Sequence, residues 1–284
     1  MLKKIFFAAA LLLASELIAK PVVIASIAPV GYLAKAVGGD KIEVQSLAKG
    51  DVHSYEPKPN DMKAVAKARI FIAAGLEFEE AWIPRFKASA KNLVVVKSDA
   101  KIAKLKEERG EQAEHDEKHE AHADPHVWLN PMLAITMARN ISDALIDMDK
   151  ANKDFYLENF QKLMNDLLAF DESAKNELAG LKNRKFVVYH PAWGYFAAHY
   201  DLEQISIERS GKEPKIDEMA STLKMIKDEN IKVIFADPNR SQKSAQVLAS
   251  QTGAKVELLD PLGYNLLENL KIAVGAIKDA NSPK

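Results

Sequence analysis

Cysteine is missing altogether from the 284 residues. That absence excludes disulfides and lipid attachment through an N-terminal cysteine, so stability has to come from a large buried core. It also means that any transition-metal site must be built from His, Asp or Glu. Excess charge of either sign is missing too. The formal net charge is -1 and the pI about 6.7, which gives no overall basic field for nucleic acid or an anionic membrane surface. No nucleic-acid partner is expected. Beyond the first residues there is no apolar run long enough to cross a bilayer core. Internal repeats, HExxH and GxSxG are absent as well, and with no cysteine nucleophile the chain reads as a protein that is not an enzyme.

What is present is an ordinary globular composition, 48% hydrophobic and 28% charged, in a chain long enough for two domains. The opening MLKKIFFAAALLLASELIAK places two lysines before an apolar run from Ile5 to Ser15, then small residues up to Ala19. The run is shorter than the roughly 20 residues a spanning helix needs, and its order is that of a cleaved secretory signal. Residues 1–19 are therefore expected to be a signal peptide, with the mature protein free in the periplasm.

After that segment, short apolar runs alternate with helical patterns: PVVIASIAP, GYLAKAV, KIEVQSLA, PNDMKAVAKA, RIFIAAG and NLVVVKSD. The alternation returns in KFVVY, GYFAAHY, EQISIE, KVIFAD, SAQVLASQ, KVELLD and LLENLKIAVGAI. Near-continuous apolar strands separated by helices predict α/β architecture, two Rossmann-like lobes with mainly parallel sheets. Between them, from about Asn152 to Leu181, the apolar residues Phe160, Leu163, Met164, Leu167 and Leu168 fall on one helical face. A helix of ~30 residues is about 45 Å long and would join the lobes rigidly. The expected division is residues 20–150 for the first lobe, 151–181 for the connecting helix and 182–284 for the second lobe. One stretch breaks the pattern: 106–124 is charged, lacks large apolar residues and carries His115, His119 and His122. It reads as a surface loop, either a solvated charge run or a place where two imidazoles at i, i+4 meet a metal.

Of the seven histidines, three stand where loops leave strands for helices. His53 lies in GDVHSYEPKP, His126 in ADPHVWLNP and His190 in FVVYHPAWG; Asp260, in VELLDPLG, has the same setting. In doubly wound sheets ligands bind beyond the carboxyl ends of strands, and three imidazoles with one carboxylate suit a tetrahedral zinc ion. Taken one at a time, a His or Asp before Pro is more often a turn or cap, and Asp237 in IFADPN shares the local look of Asp260. His199, on a helical pattern, has no ligand-like setting. If imidazoles do bind metal they must be neutral, so affinity is expected to fall as the pH drops through about 6.5.

The order of GDVHSYEPKP, DPHVWLNP, VVYHPAWGYF and LLDPLG resembles the zinc/manganese class of solute-binding proteins of ABC importers, and within it the zinc-type, ZnuA-like members. The resemblance covers nearly the whole mature chain. It implies a monomeric periplasmic carrier that captures Zn2+, with Mn2+ as the alternative cargo, and hands it to a permease in the inner membrane. It implies the ligands His53, His126, His190 and Asp260. Histidine at the third of these positions is what zinc-type members have, where manganese-type members have glutamate, and imidazole-rich sets favour zinc. The His-bearing acidic loop is similar to the metal-collecting insertion of zinc-type members. Val52 departs from the pattern, standing where many relatives have proline, and Glu56 offers a competing carboxylate. Two other classes stay open: a metal-dependent interaction or adhesion protein, and a zinc hydrolase using three ligands with Glu56 or Asp260 as base.

Overall fold

The computed structural model describes residues 20–106, 123–208 and 216–281. The expected signal peptide and His115, His119 and His122 lie outside the described residues. In the first half, β1 (Val22–Ala25), α1 (Ala28–Gly38), β2 (Glu43–Ser46), α2 (Pro59–Val65), β3 (Ala68–Ala73), α3 (Glu77–Ser89) and β4 (Val94–Lys97) follow one another. Then come α4 (Pro131–Met148) and the long α5 (Lys153–Ala179). The second half repeats the alternation with β5 (Lys185–Val188), α6 (Gly194–His199), β6 (Glu203–Ser206), α7 (Ile216–Asp228), β7 (Val233–Ala236), α8 (Lys243–Thr252), β8 (Lys255–Leu258) and α9 (Leu266–Asn281).

Among the described residues the strands of both sheets pair in parallel, in the orders β2-β1-β3-β4 and β6-β5-β7-β8. The apolar runs read as strands pair as strands, because parallel strands covered on both faces need apolar side chains on both; Val233–Ala236 is buried throughout. In each sheet the order reverses beside the first strand, between β1 and β3 and between β5 and β7. A crevice opens at such a point beyond the carboxyl ends. The two-lobed α/β architecture expected from the sequence is the one observed.

The connecting helix is continuous over 27 residues, Lys153–Ala179. Its buried face is Tyr156, Phe160, Leu163, Leu167, Phe170, Ala174 and Leu178, a 3.6-residue stripe. Leu168, expected on that face, is 40% exposed, since it stands one residue, about 100°, around from Leu167. A single apolar cluster takes in Val23 and Leu33 of the first lobe, the α5 stripe, and Phe186, Leu270 and Ile277 of the second. The lobes thus share a core through α5, with no flexible hinge between them.

Asp171, midway along α5, is buried and accepts from Lys175 Nζ at 2.7 Å, while His199 Nε2 at the end of α6 lies 2.6 Å from its other oxygen. Burial alone would raise this carboxyl's pKa, but the Lys175 and His199 contacts outweigh it and hold it below the ordinary value. An aspartate lowered in the folded state adds stability above its unfolded value, near pH 4, and loses it as the pH falls through the lowered one. Asp171→Asn is expected to cost about 2 kcal/mol near neutral pH, with the gap to wild type closing as the pH falls below the ordinary carboxylate range; urea unfolding at several pH values checks this.

Candidate metal centre

The second lobe delivers most of its polar groups from the carboxyl ends of its strands. His190 follows β5 by two residues, Glu208 follows β6, Asp237 and Arg240 follow β7, and Asp260 follows β8. From the first lobe, His53 comes on the loop after β2, and His126 on the segment leading into α4. That segment is held rigidly. Pro131 opens α4, the Asn130 side chain caps it by accepting from Met132 N and Leu133 N at 2.9 and 3.2 Å, and Val127, Trp128 and Leu129 form a buried 3₁₀ turn. Proline and a capping asparagine are strong helix-start residues.

These loops bring His53, His126 and His190 together, with one ring nitrogen from each lying within 4.8 Å of the others. His53 Nε2 and His190 Nε2 are 3.2 Å apart. His126 and His190 are buried and His53 is half-buried. In two of them the other nitrogen is engaged: His126 Nδ1 meets Asp124 Oδ1 at 2.8 Å, and His190 Nδ1 meets Glu208 Oε2 at 2.8 Å. A carboxylate behind an imidazole fixes the tautomer that leaves Nε2 free for a metal. Asp51 Oδ1 accepts from the His53 backbone N–H at 3.1 Å, which orients the loop.

Burial, with the neighbouring His126, pushes the His53 imidazole down to about 4 against the opposing pull of Asp51. Burial first, then the charges of His126 and Arg240, place His190 well below its ordinary value. Both are therefore neutral, the metal-binding form, well below the pH of about 6.5 expected from a free imidazole.

Asp260 is not in the cluster. Among the described residues the convergent group consists of the three histidines. Asp260 Oδ1 instead closes its own turn, accepting from Leu262 N at 2.8 Å and from Asn239 Nδ2 at 2.8 Å. Asp237, set aside in the sequence as a look-alike, lines the same small cavity as the three histidines and Arg240. Its carboxyl is pushed up by burial and the nearby Asp260 charge, although Asn239 and Arg240 oppose this. Glu56 is exposed and outside the group. Tyr55 beside it packs against Phe78 and donates to Asp61, so the Tyr-Glu-Pro stretch is structural. Val52 is buried in the core. His199 sits with Asp171, away from the cluster.

Sequence reasoning overlooked Asp124, Glu208 and Arg240. Asp124 stood two residues before His126 and Glu208 at the end of ISIE, past a strand, but only folding shows which imidazole each carboxylate meets. It also overlooked the clasp between lobes. Trp128 Nε1 donates to the Pro261 carbonyl at 2.8 Å, and the Tyr195 hydroxyl of α6 donates to the Asp124 carbonyl at 2.8 Å.

The family model described as "Zinc-uptake complex component A periplasmic" matches residues 23–280. The chain belongs to this family. The zinc-uptake family is one of solute-binding proteins of ABC importers rather than enzymes. The high-affinity zinc uptake system protein ZnuA of Bacillus subtilis (strain 168) is 30% identical over 279 residues, spanning 91% of this chain and 86% of its own. A crystal structure of ZnuA superposes with a TM-score of 0.86 at 35% identity, covering 93% of this chain and 100% of that one. A zinc-bound ZnuA lacking residues 138–173 of its own chain superposes equally well, with a TM-score of 0.86 at 34% identity over 93% and 99% of the two chains. The laminin-binding protein Lmb of Streptococcus agalactiae, described as bifunctional with adhesin and metal-transporting activity, is more distant at 26% identity and TM-score 0.81, covering 93% and 100%. No helix among the described residues is long and apolar enough to cross a membrane.

Proposed function

We propose that this zinc-uptake family member captures Zn2+ between its lobes and delivers it to the permease of an ABC importer in the inner membrane, working as a monomer in the periplasm. One observation carries the reading: three imidazoles from two lobes, two of them backed by buried carboxylates, converge on one small cavity. His53, His126 and His190 hold the ion. The fourth position falls to Asp260, once it releases its turn, or to Asp237, the two carboxylates that Asn239 bridges. A set of three imidazoles and one carboxylate favours zinc over manganese, which prefers oxygen ligands.

The shared core supports a carrier that closes by small loop movements more than by swinging lobes. Competitive titration of chelator-stripped mature protein near pH 7.5 is expected to give one tight zinc site and manganese binding weaker by about a hundredfold or more, following the softer ligand set. Preference for manganese would keep the carrier and change its cargo. Failure to bind either ion would overturn the reading. The protein should stay folded after chelation, because its core is apolar; unfolding on metal removal would make the ion structural instead.

A further inference from the structure

Arg240 reaches into the histidine cluster from the loop after β7. Its Nη1 lies 2.8 Å from His190 Nδ1, its Nη2 3.1 Å from Glu208 Oε1, and Nη2 is 3.8 Å from Asp51 Oδ2 on the opposite lobe. The side chain is mostly covered, at 16% exposure. Glu208 Oε2 approaches the same Nδ1 at 2.8 Å. The two contacts make opposite demands. A carboxylate accepts from an N–H, whereas a guanidinium only donates, so Nδ1 cannot satisfy both at once.

When Nδ1 carries hydrogen and donates to Glu208, Nε2 has its lone pair free for a metal. When Nδ1 accepts from Arg240, the hydrogen sits on Nε2 and blocks the same lone pair. The metal-binding form of His190 is thus the one that breaks the arginine contact, and it brings a divalent ion beside a fixed positive charge. The same guanidinium ties His190 and Glu208 of one lobe to Asp51, two residues before His53, of the other.

We propose that Arg240 is a positioning residue that competes with the ion for His190, limiting how tightly zinc is held and hastening its release. The proposal deepens the zinc-carrier reading and rests on it. A carrier must surrender its cargo to a permease, and a cation built into the wall of the site lowers the barrier to that step through charge repulsion and by taking back the imidazole.

The test compares the full mature protein with Arg240→Met and Arg240→Lys at pH 7.5, with zinc alone as the ligand. Affinity is measured by chelator competition and release by stopped-flow transfer to excess chelator. Arg240→Met is expected to bind zinc at least about tenfold tighter and to release it at least about tenfold more slowly, the change expected when a unit charge is removed from a partly buried site. Arg240→Lys, which keeps the charge, should stay within about threefold of wild type. A support for the site would behave in the opposite way, its loss weakening binding; unchanged or weaker binding by Arg240→Met overturns the proposal. Should that variant fail to fold by circular dichroism, Arg240→Gln is read in its place against the same criteria. Absence of stoichiometric zinc binding by wild type would bring down the carrier reading and this inference together, whereas normal wild-type binding without tightening in the neutral variant sinks the inference alone.

Discussion

His190→Ala is expected to lower zinc affinity by about a hundredfold or more. A four-ligand structural zinc site is worth roughly 10 to 16 kcal/mol, about 3 per ligand, and each 1.4 kcal/mol is a factor of ten. The substitution also leaves Glu208 and Arg240 facing a gap, so the reading should include metal-free unfolding to separate lost ligation from lost structure. His53→Ala and His126→Ala should fall in the same range. Asp260→Ala should cost less than about tenfold, since the carboxylate is already occupied by Leu262 N and Asn239 and the three imidazoles remain. A loss from Asp260→Ala equal to that from His190→Ala would place Asp260 in the coordination sphere. Equal loss from Asp237→Ala would point to its neighbour. Chelator competition on the five variants decides among these results.

The largest effect on stability is expected at Trp128. Its indole is fully buried, lies 5.2 Å from the His126 ring centre, and donates across the lobe boundary to the Pro261 carbonyl. Trp128→Ala should cost about 3 to 5 kcal/mol from lost burial and the cavity left behind, with about 1 kcal/mol more from the orphaned carbonyl. Trp128→Phe keeps much of the packing and should cost about half as much. Equilibrium urea unfolding measures both. Zinc affinity should fall with Trp128→Ala by about ten- to a hundredfold, the range for removing a ligand's support. A stable Trp128→Ala protein with unchanged affinity would show that the clasp has no part in holding His126.

Much of the architecture was legible because it is local. VVIA, RIFIA and KVIFA could be read as strands from β-rich apolar runs alone, and Phe160, Leu163 and Leu167 marked the long helix from their spacing. Leu168 was misplaced because a sequence window cannot tell the edge of a helical stripe from its centre. His53, His126 and His190 were found through their place after strands and through the ordered motifs. Asp260 and Asp237 could not be separated, since each is an Asp-Pro after a strand. Both close a turn onto the backbone two residues on, and what distinguishes them is the cavity wall, which includes Asp237.

The sequence by itself determined the two α/β lobes, the stiff connector and the three imidazoles, because strand patterns, helical periodicity and loop positions are encoded within a few tens of residues. Only the tertiary structure decided which carboxylates stand behind His126 and His190, that Trp128 reaches Pro261, and that Arg240 reaches His190. Asp124 and His126 are only two residues apart, but the other contacts join groups 18 to 133 residues apart, and their geometry follows from packing two sheets around a shared core rather than from local spacing.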